Sequence, residues 1–160
     1  MEIIHEEVLK KPKIIPNYLN KDTPFIDYSA QISPYNINKF VCKYQYVDKL
    51  SLDRYFKTYE KKKLEWENTS FKDRKDIFLK AADLIETKYY ERMLVYTMVR
   101  QNKNIYEAKI DSICELVDFL RFNVSYTENI LEKKPISTNE IDNIFEYNSL
   151  NGFVAAITPI

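Results

Sequence analysis

Apolar residues along this chain change their rhythm twice. Up to about residue 50 they come in short extended patches broken by prolines. Ile14-Ile15 and Phe25-Ile26-Asp27-Tyr28 flank the turn-rich stretch Pro16 to Pro24, which predicts an edge hairpin. Ile32 to Asn36, with Pro34 inside it, reads as a further turn, and Phe40 to Tyr46 alternates well enough for a strand. Residues 1–12 read as frayed or extended.

From Ser51 the period becomes helical. Leu52, Phe56, Tyr59 and Lys63-Leu64 recur at helix spacing as far as Trp66, with Ser51 and Arg54 giving half a cap signal. Ser70 followed three residues later by Asp73 matches a capping box with Asp in place of Glu, and Ile77, Phe78, Ala81, Ala82, Leu84 and Ile85 form the stripe behind it. Met93 to Gln101 predicts another helix, whose methionines and tyrosines read as packing residues. The longest helix is expected from about Ile105 to Leu131. Its buried line is Tyr106, Ile110, Ile113, Cys114, Val117, Leu120 and Val124, widened by Leu116 and Phe119. Lys133-Lys134-Pro135 ends it, because proline does not continue a helix.

The second change of rhythm comes at the end. Ile144 to Tyr147 is a weak strand candidate. Gly152, the one glycine of the chain, is then followed by the unalternated apolar run Phe153 to Ile157 and by Thr158-Pro159. Such a run predicts a strand buried on both faces, as in a parallel sheet. Its partners need crossover connections of a dozen or more residues, so the chain is expected to be the front piece of a larger α/β protein.

Composition narrows the function classes. Of 160 residues, 24 are Lys or Arg and 24 Asp or Glu, a balance that lacks the basic excess of a nucleic-acid binder. No apolar run approaches the about 18 residues of a membrane span, and the first ten residues lack the pattern of a signal or transit peptide. His5 is the only histidine, which removes a His-based metal site and a Ser-His-Asp triad. Cys42 and Cys114, without a CxxC, read as reduced and mostly buried thiols, with a disulfide or metal pair as the alternative. One glycine cannot build a GxGxxG or a phosphate loop.

Asp111, Glu115 and Asp118 stand at i, i+4 and i+7 of the long helix and share a face, with Arg121 placed to pair with Asp118. That face is either solvated and salt-bridged, or turns one carboxylate inward to meet an ammonium. Paired-carboxylate hydrolysis is disfavoured, because opposed carboxylates normally come from separate elements.

Several segments carry a resemblance that their periodicity does not. Ile32 to Asn36, Asp73-Arg74, Ile77 to Leu84, Thr97 to Val99, Glu115 to Asn123, Pro135 to Ser137 and Gly152 to Pro159 are, in this order, similar to the amino-terminal part of an aldehyde dehydrogenase. Among its members the chain resembles the branch that oxidises L-glutamate γ-semialdehyde, formed from delta-1-pyrroline-5-carboxylate, to L-glutamate in proline breakdown. The resemblance runs from about Pro12 to Ile160.

It implies an incomplete α/β fold: a strand-and-turn segment over residues 1–50 and the helical part of an NAD-binding domain over 51–135. An oligomerisation hairpin over 136–150 and the first strand of a doubly wound sheet over 151–160 complete the implied layout. It implies NAD as cofactor and a homo-oligomer, at least a dimer, placed in the mitochondrial matrix of a eukaryote or otherwise in the cytoplasm. The family's chemistry uses a cysteine nucleophile, hydride transfer to nicotinamide and hydrolysis of a thioester, with an oxyanion hole.

By residue, Glu115 matches the glutamate near the substrate's amino group, and Ile157, Thr158 and Pro159 match the strand end whose backbone touches NAD. Ile160 departs from the Phe usual there, and Asn102 stands where close relatives have glycine. The oxyanion-hole asparagine and the nucleophile are expected after Ile160, so this piece carries no catalytic residue and is expected to be inactive alone. The alternative is a short non-catalytic product acting as an interaction or structural module.

Overall fold

Short charged and capped segments decide where each helix begins. In the computed structural model, which describes residues 8, 10, 11, 13–16 and 28–157, helix α1 spans Lys49–Glu67. Its cap is Asp48, about one turn ahead of the expected Ser51. The Asp48 carboxylate accepts from the Ser51 N–H at 2.7 Å and from the Ser51 hydroxyl at 2.8 Å. These bonds, the backbone one foremost, hold the Asp48 carboxyl below its ordinary range. Ion pairs Lys62–Glu65 and Lys63–Glu67 support the far end, and Ser51 is the helix's buried residue.

Helix α2, Phe71–Glu86, starts at the predicted Ser70, but only half of the expected box forms: Ser70 Oγ accepts from the Asp73 N–H at 3.0 Å, while the Asp73 carboxylate takes the Ser70 hydroxyl at 2.6 Å instead of its backbone N–H. Helix α3 is Tyr90–Gln101 and ends on Asn102 with φ 54°, in the left-handed region. That geometry accounts for the residue: glycine suits it best, and asparagine is among the few others that tolerate it.

The expected single helix from 105 to 131 is three pieces. Helix α4, Ile105–Lys109, opens on a full capping box of Asn104 with Glu107. One π turn, Ile110–Cys114, follows, and helix α5 runs over Glu115–Glu132. The π turn breaks the buried line drawn at constant spacing. Ile113, Val117 and Val124 are buried, whereas Tyr106, Ile110 and Cys114 are exposed.

The opening third is a three-stranded sheet in the order β1-β3-β2, with β1 Lys13–Ile15, β2 Tyr28–Ser33 and β3 Asn36–Gln45. The turn expected within residues 32–36 forms at Pro34-Tyr35 and makes β2 and β3 antiparallel. The expected hairpin between the first two patches is not formed. β1 pairs instead in parallel with β3, Ile14 opposite Lys43, so the long β3 lies between the others. Residues 17–27, including the Phe25 to Asp27 part of that expectation, lie outside the described residues.

The sheet is tied to α3 at one point of full burial. The Ser33 hydroxyl donates to the Val99 carbonyl at 2.9 Å, and Val41, Val95 and Val99 pack with Val8 beside it. The second core lies among α2, α3 and the α4–α5 unit, where Ala82, Leu94, Ala108, Ile113 and Val117 are buried. α2 lies along α5, joined by Lys75–Glu128 and by Arg121 with Asp83 and Glu86. The expected Arg121–Asp118 pairing is replaced by this link, because α2 presents two carboxylates to the guanidinium.

Residues 133–157 contain no helix or strand. Gly152 to Ile157, expected as the first strand of a parallel sheet, is unpaired among the described residues, and so are Ile144 to Tyr147. A strand is made by its neighbours, and none of the described strands lies beside these runs. Ile157 is 99% exposed, and Phe153 touches α1 only through its ring, 5.1 Å from that of Phe56. The whole chain exposes 13072 Å². A compact monomer of this mass exposes about 8,400 Å² by the area–mass relation.

Candidate functional site

Two features bear on chemistry, and they lie on different faces of α5. The first is the acid row. Asp111 is ion-paired with Lys103, which curls back from the loop after α3. Glu115, the first residue of α5, is exposed, where one reading of the acid row turned a carboxylate inward. The π turn has placed Cys114 and Glu115 outward and Ser112 and Ile113 inward. Among the described residues the Glu115 carboxylate has no hydrogen bond or ion pair. It is therefore a fixed-backbone carboxylate whose charge remains unanswered, able to accept from an ammonium.

The second feature is a cleft of about 690 Å³ between α2 and α5, closed at one end by Trp66 and at another by Tyr147 to Leu150. Phe71, Phe78, Leu116, Phe119, Leu120 and Leu131 make it mainly apolar, and Arg74, Lys75 and Asn123 add polar groups. The Arg74 guanidinium stacks over Trp66 at 5.7 Å, and its Nε is buried without a partner among the described residues. Glu115 does not line this cleft. No pattern in the sequence signals this cleft, since its walls come from helices that meet only in the fold.

The expected cofactor residues are not gathered with Glu115. Thr158 and Pro159 lie outside the described residues, and Ile157 stands exposed on an unpaired tail. Cys42 is buried in β3, and burial pushes its thiol up, with Arg100 opposing; Cys114 is exposed, where the sequence suggested a mostly buried thiol. No group of three or more His, Cys, Asp or Glu side chains among the described residues is arranged to hold a metal ion. No helix among them is long and apolar enough to cross a membrane.

Comparison with known proteins gives this arrangement its context. The human mitochondrial delta-1-pyrroline-5-carboxylate dehydrogenase is 39% identical over 133 residues, covering 83% of this chain and 24% of that protein. A probable delta-1-pyrroline-5-carboxylate dehydrogenase of Schizosaccharomyces pombe is 40% identical over 150 residues, 92% of this chain and 27% of that protein. The chain thus spans about a quarter of the length of the curated relatives it matches. The crystal structure of the Mycobacterium tuberculosis delta-pyrroline-5-carboxylate dehydrogenase superposes with a TM-score of 0.78 at 27% identity. It covers 86% of this chain and 26% of that one, and the same enzyme bound with NAD matches equally. The sequence pattern of the aldehyde dehydrogenase family matches residues 25–160, and with a like backbone over most of its length the chain belongs to that family.

Proposed function

We propose that the chain is the amino-terminal part of an NAD-dependent L-glutamate γ-semialdehyde dehydrogenase, which oxidises that aldehyde to L-glutamate in proline breakdown. The observation that carries this reading is the joint likeness, in sequence and backbone, to delta-1-pyrroline-5-carboxylate dehydrogenases. In the complete protein, residues 1–50 form a strand-and-turn segment, 51–135 the helical part of the NAD-binding domain and 136–150 an oligomerisation hairpin. Residues 151–160 become the first strand of the sheet once its parallel neighbours are present, with Ile157, Thr158 and Pro159 at the end that meets NAD. The complete enzyme is then a homo-oligomer, in mitochondria if it follows the relatives so described.

Glu115 is the residue of this chain that bears on substrate choice. The substrate differs from a plain aliphatic aldehyde by an α-ammonium and an α-carboxylate. An unpaired carboxylate held on a helix answers the first. When the rest of the protein closes over it, the carboxylate loses water and recovers the loss only with a cation docked. The chain contributes no nucleophile, so residues 1–160 alone are inactive.

The test is kcat/KM in the complete enzyme for the amino-bearing semialdehyde and for propanal. Glu115→Ala lowers the first by roughly 2–4 kcal/mol in transition-state terms, the range for stranding a buried charged partner. Propanal oxidation changes much less. Asn at Asp118 leaves both nearly intact. Equal losses on the two aldehydes, or none, return Glu115 to an ordinary surface carboxylate.

The open apolar tail, Phe153 and Val154 included, also suits a short non-catalytic module that docks through it. Mature message read past the codon for Ile160 separates the two: an asparagine codon next supports the enzyme, a stop codon the module.

A further inference from the structure

The helix that carries Glu115 is not evenly wound. The π turn Ile110–Cys114 is closed by the Glu115 N–H itself, which donates to the Ile110 carbonyl. A π turn amounts to one residue inserted in an α-helix, so everything beyond it is rotated by about 100° against unbroken winding. Both flanks are anchored. Ahead of it, the Asn104–Glu107 capping box fixes the start of α4 and Ala108 is fully buried. Behind it, Val117 and Val124 are in the core.

Within the turn, one side chain engages the backbone. Ser112 is 8% exposed, and its hydroxyl donates to the Ala108 carbonyl at 2.6 Å. A serine that bonds back to the carbonyl four residues earlier draws that carbonyl from the helix ladder, and helices bend or loosen there. Asp111 is held from the other side by Lys103. Glu115 is the first residue past this construction, and its direction depends on how far the turn has unwound.

We propose that Ser112 is a positioning residue for Glu115: its bond to Ala108 keeps the π turn open and so aims the Glu115 carboxylate at the substrate's ammonium. This rests on the reading of Glu115 as the ammonium's partner. If the turn relaxes to α-helix, the anchors on its two sides compete. Glu115 lies between Ala108 with its capping box and the buried Val117 and Val124, so it turns from its present direction as that strain is relieved.

The experiment measures kcat/KM of the complete enzyme for L-glutamate γ-semialdehyde and for propanal, in wild type, Ser112→Ala, Ser112→Thr and Glu115→Ala. Ser112→Ala lowers the ratio of the two by about tenfold or more, as misplacement of a binding group does. Most of that loss falls on KM for the amino-bearing aldehyde. Ser112→Thr, which keeps the hydroxyl, retains most of the ratio. Should Ser112→Ala fail to yield soluble enzyme, Ser112→Cys, of similar size but with a weak donor, is read in the same way. A ratio unchanged in Ser112→Ala or Ser112→Cys while Glu115→Ala lowers it overturns the role of Ser112 alone. A ratio unchanged in Glu115→Ala overturns the reading of Glu115 and this inference together.

Discussion

Arg121 Nη2 stands 2.7 Å from Glu86 Oε2 and 3.1 Å from Asp83 Oδ1, so one guanidinium on α5 bridges two carboxylates on α2. Its hydrogen bonds to Glu86 first and Asp83 second favour its charged form. The side chain is 40% exposed, and salt screens interactions of that kind. In the complete enzyme Arg121→Ala is expected to lower the melting temperature slightly at low ionic strength and hardly at all near ~1 M salt, where the Debye length is about 3 Å. A loss of the same size at both salts would mean that the aliphatic stem, not the charge, joins the helices.

The cap of α1 carries a pH dependence of known sign. The folded-state pKa of Asp48 is lowered, chiefly by the Ser51 N–H and then by its hydroxyl. Its contribution is therefore complete above the unfolded value of about 3.9 and is lost as pH falls through the lower, folded one. Asp48→Asn, compared with wild type by thermal melting, should cost stability at pH 7, with the gap closing towards pH 2. A gap that stays constant across this range refutes the assignment.

Asn102 sits at φ 54° between α3 and the cap of α4. Asn102→Gly should keep or slightly raise stability, while Asn102→Val should lower it by about 1–2 kcal/mol, the cost of forcing a branched side chain into the left-handed region. Chemical denaturation of the three proteins decides; a harmless valine would show that the turn has another conformation in solution.

Residues 1–160 expressed alone should aggregate or pack loosely. Phe119, Phe122, Phe153, Val154 and Ile157 are all more than half exposed, and each large apolar side chain left in water forgoes about 1.5–3 kcal/mol. Light scattering and calorimetry check this. A soluble monomer with a sharp cooperative melt would contradict it.

What the sequence determined by itself was local. The stripe from Ile77 to Ile85 predicted α2, Ser70 with Asp73 marked its start, and Pro34 marked the turn between β2 and β3, because each signal is read within a few residues of the structure it makes. The quoted segments likewise carried the family resemblance, which the match over residues 25–160 bears out. Only the tertiary structure decided which distant pieces meet. It gave β1 to β3 in parallel, took Arg121 from Asp118 to α2, and inserted the π turn that leaves Glu115 exposed and Ile113 buried. These outcomes depend on competition among partners far apart in the chain, which periodicity at constant pitch does not record. The run Phe153 to Ile157 shows the same division: its composition is that of a buried strand, but hydrogen-bonded neighbours make a strand, and among the described residues it has none.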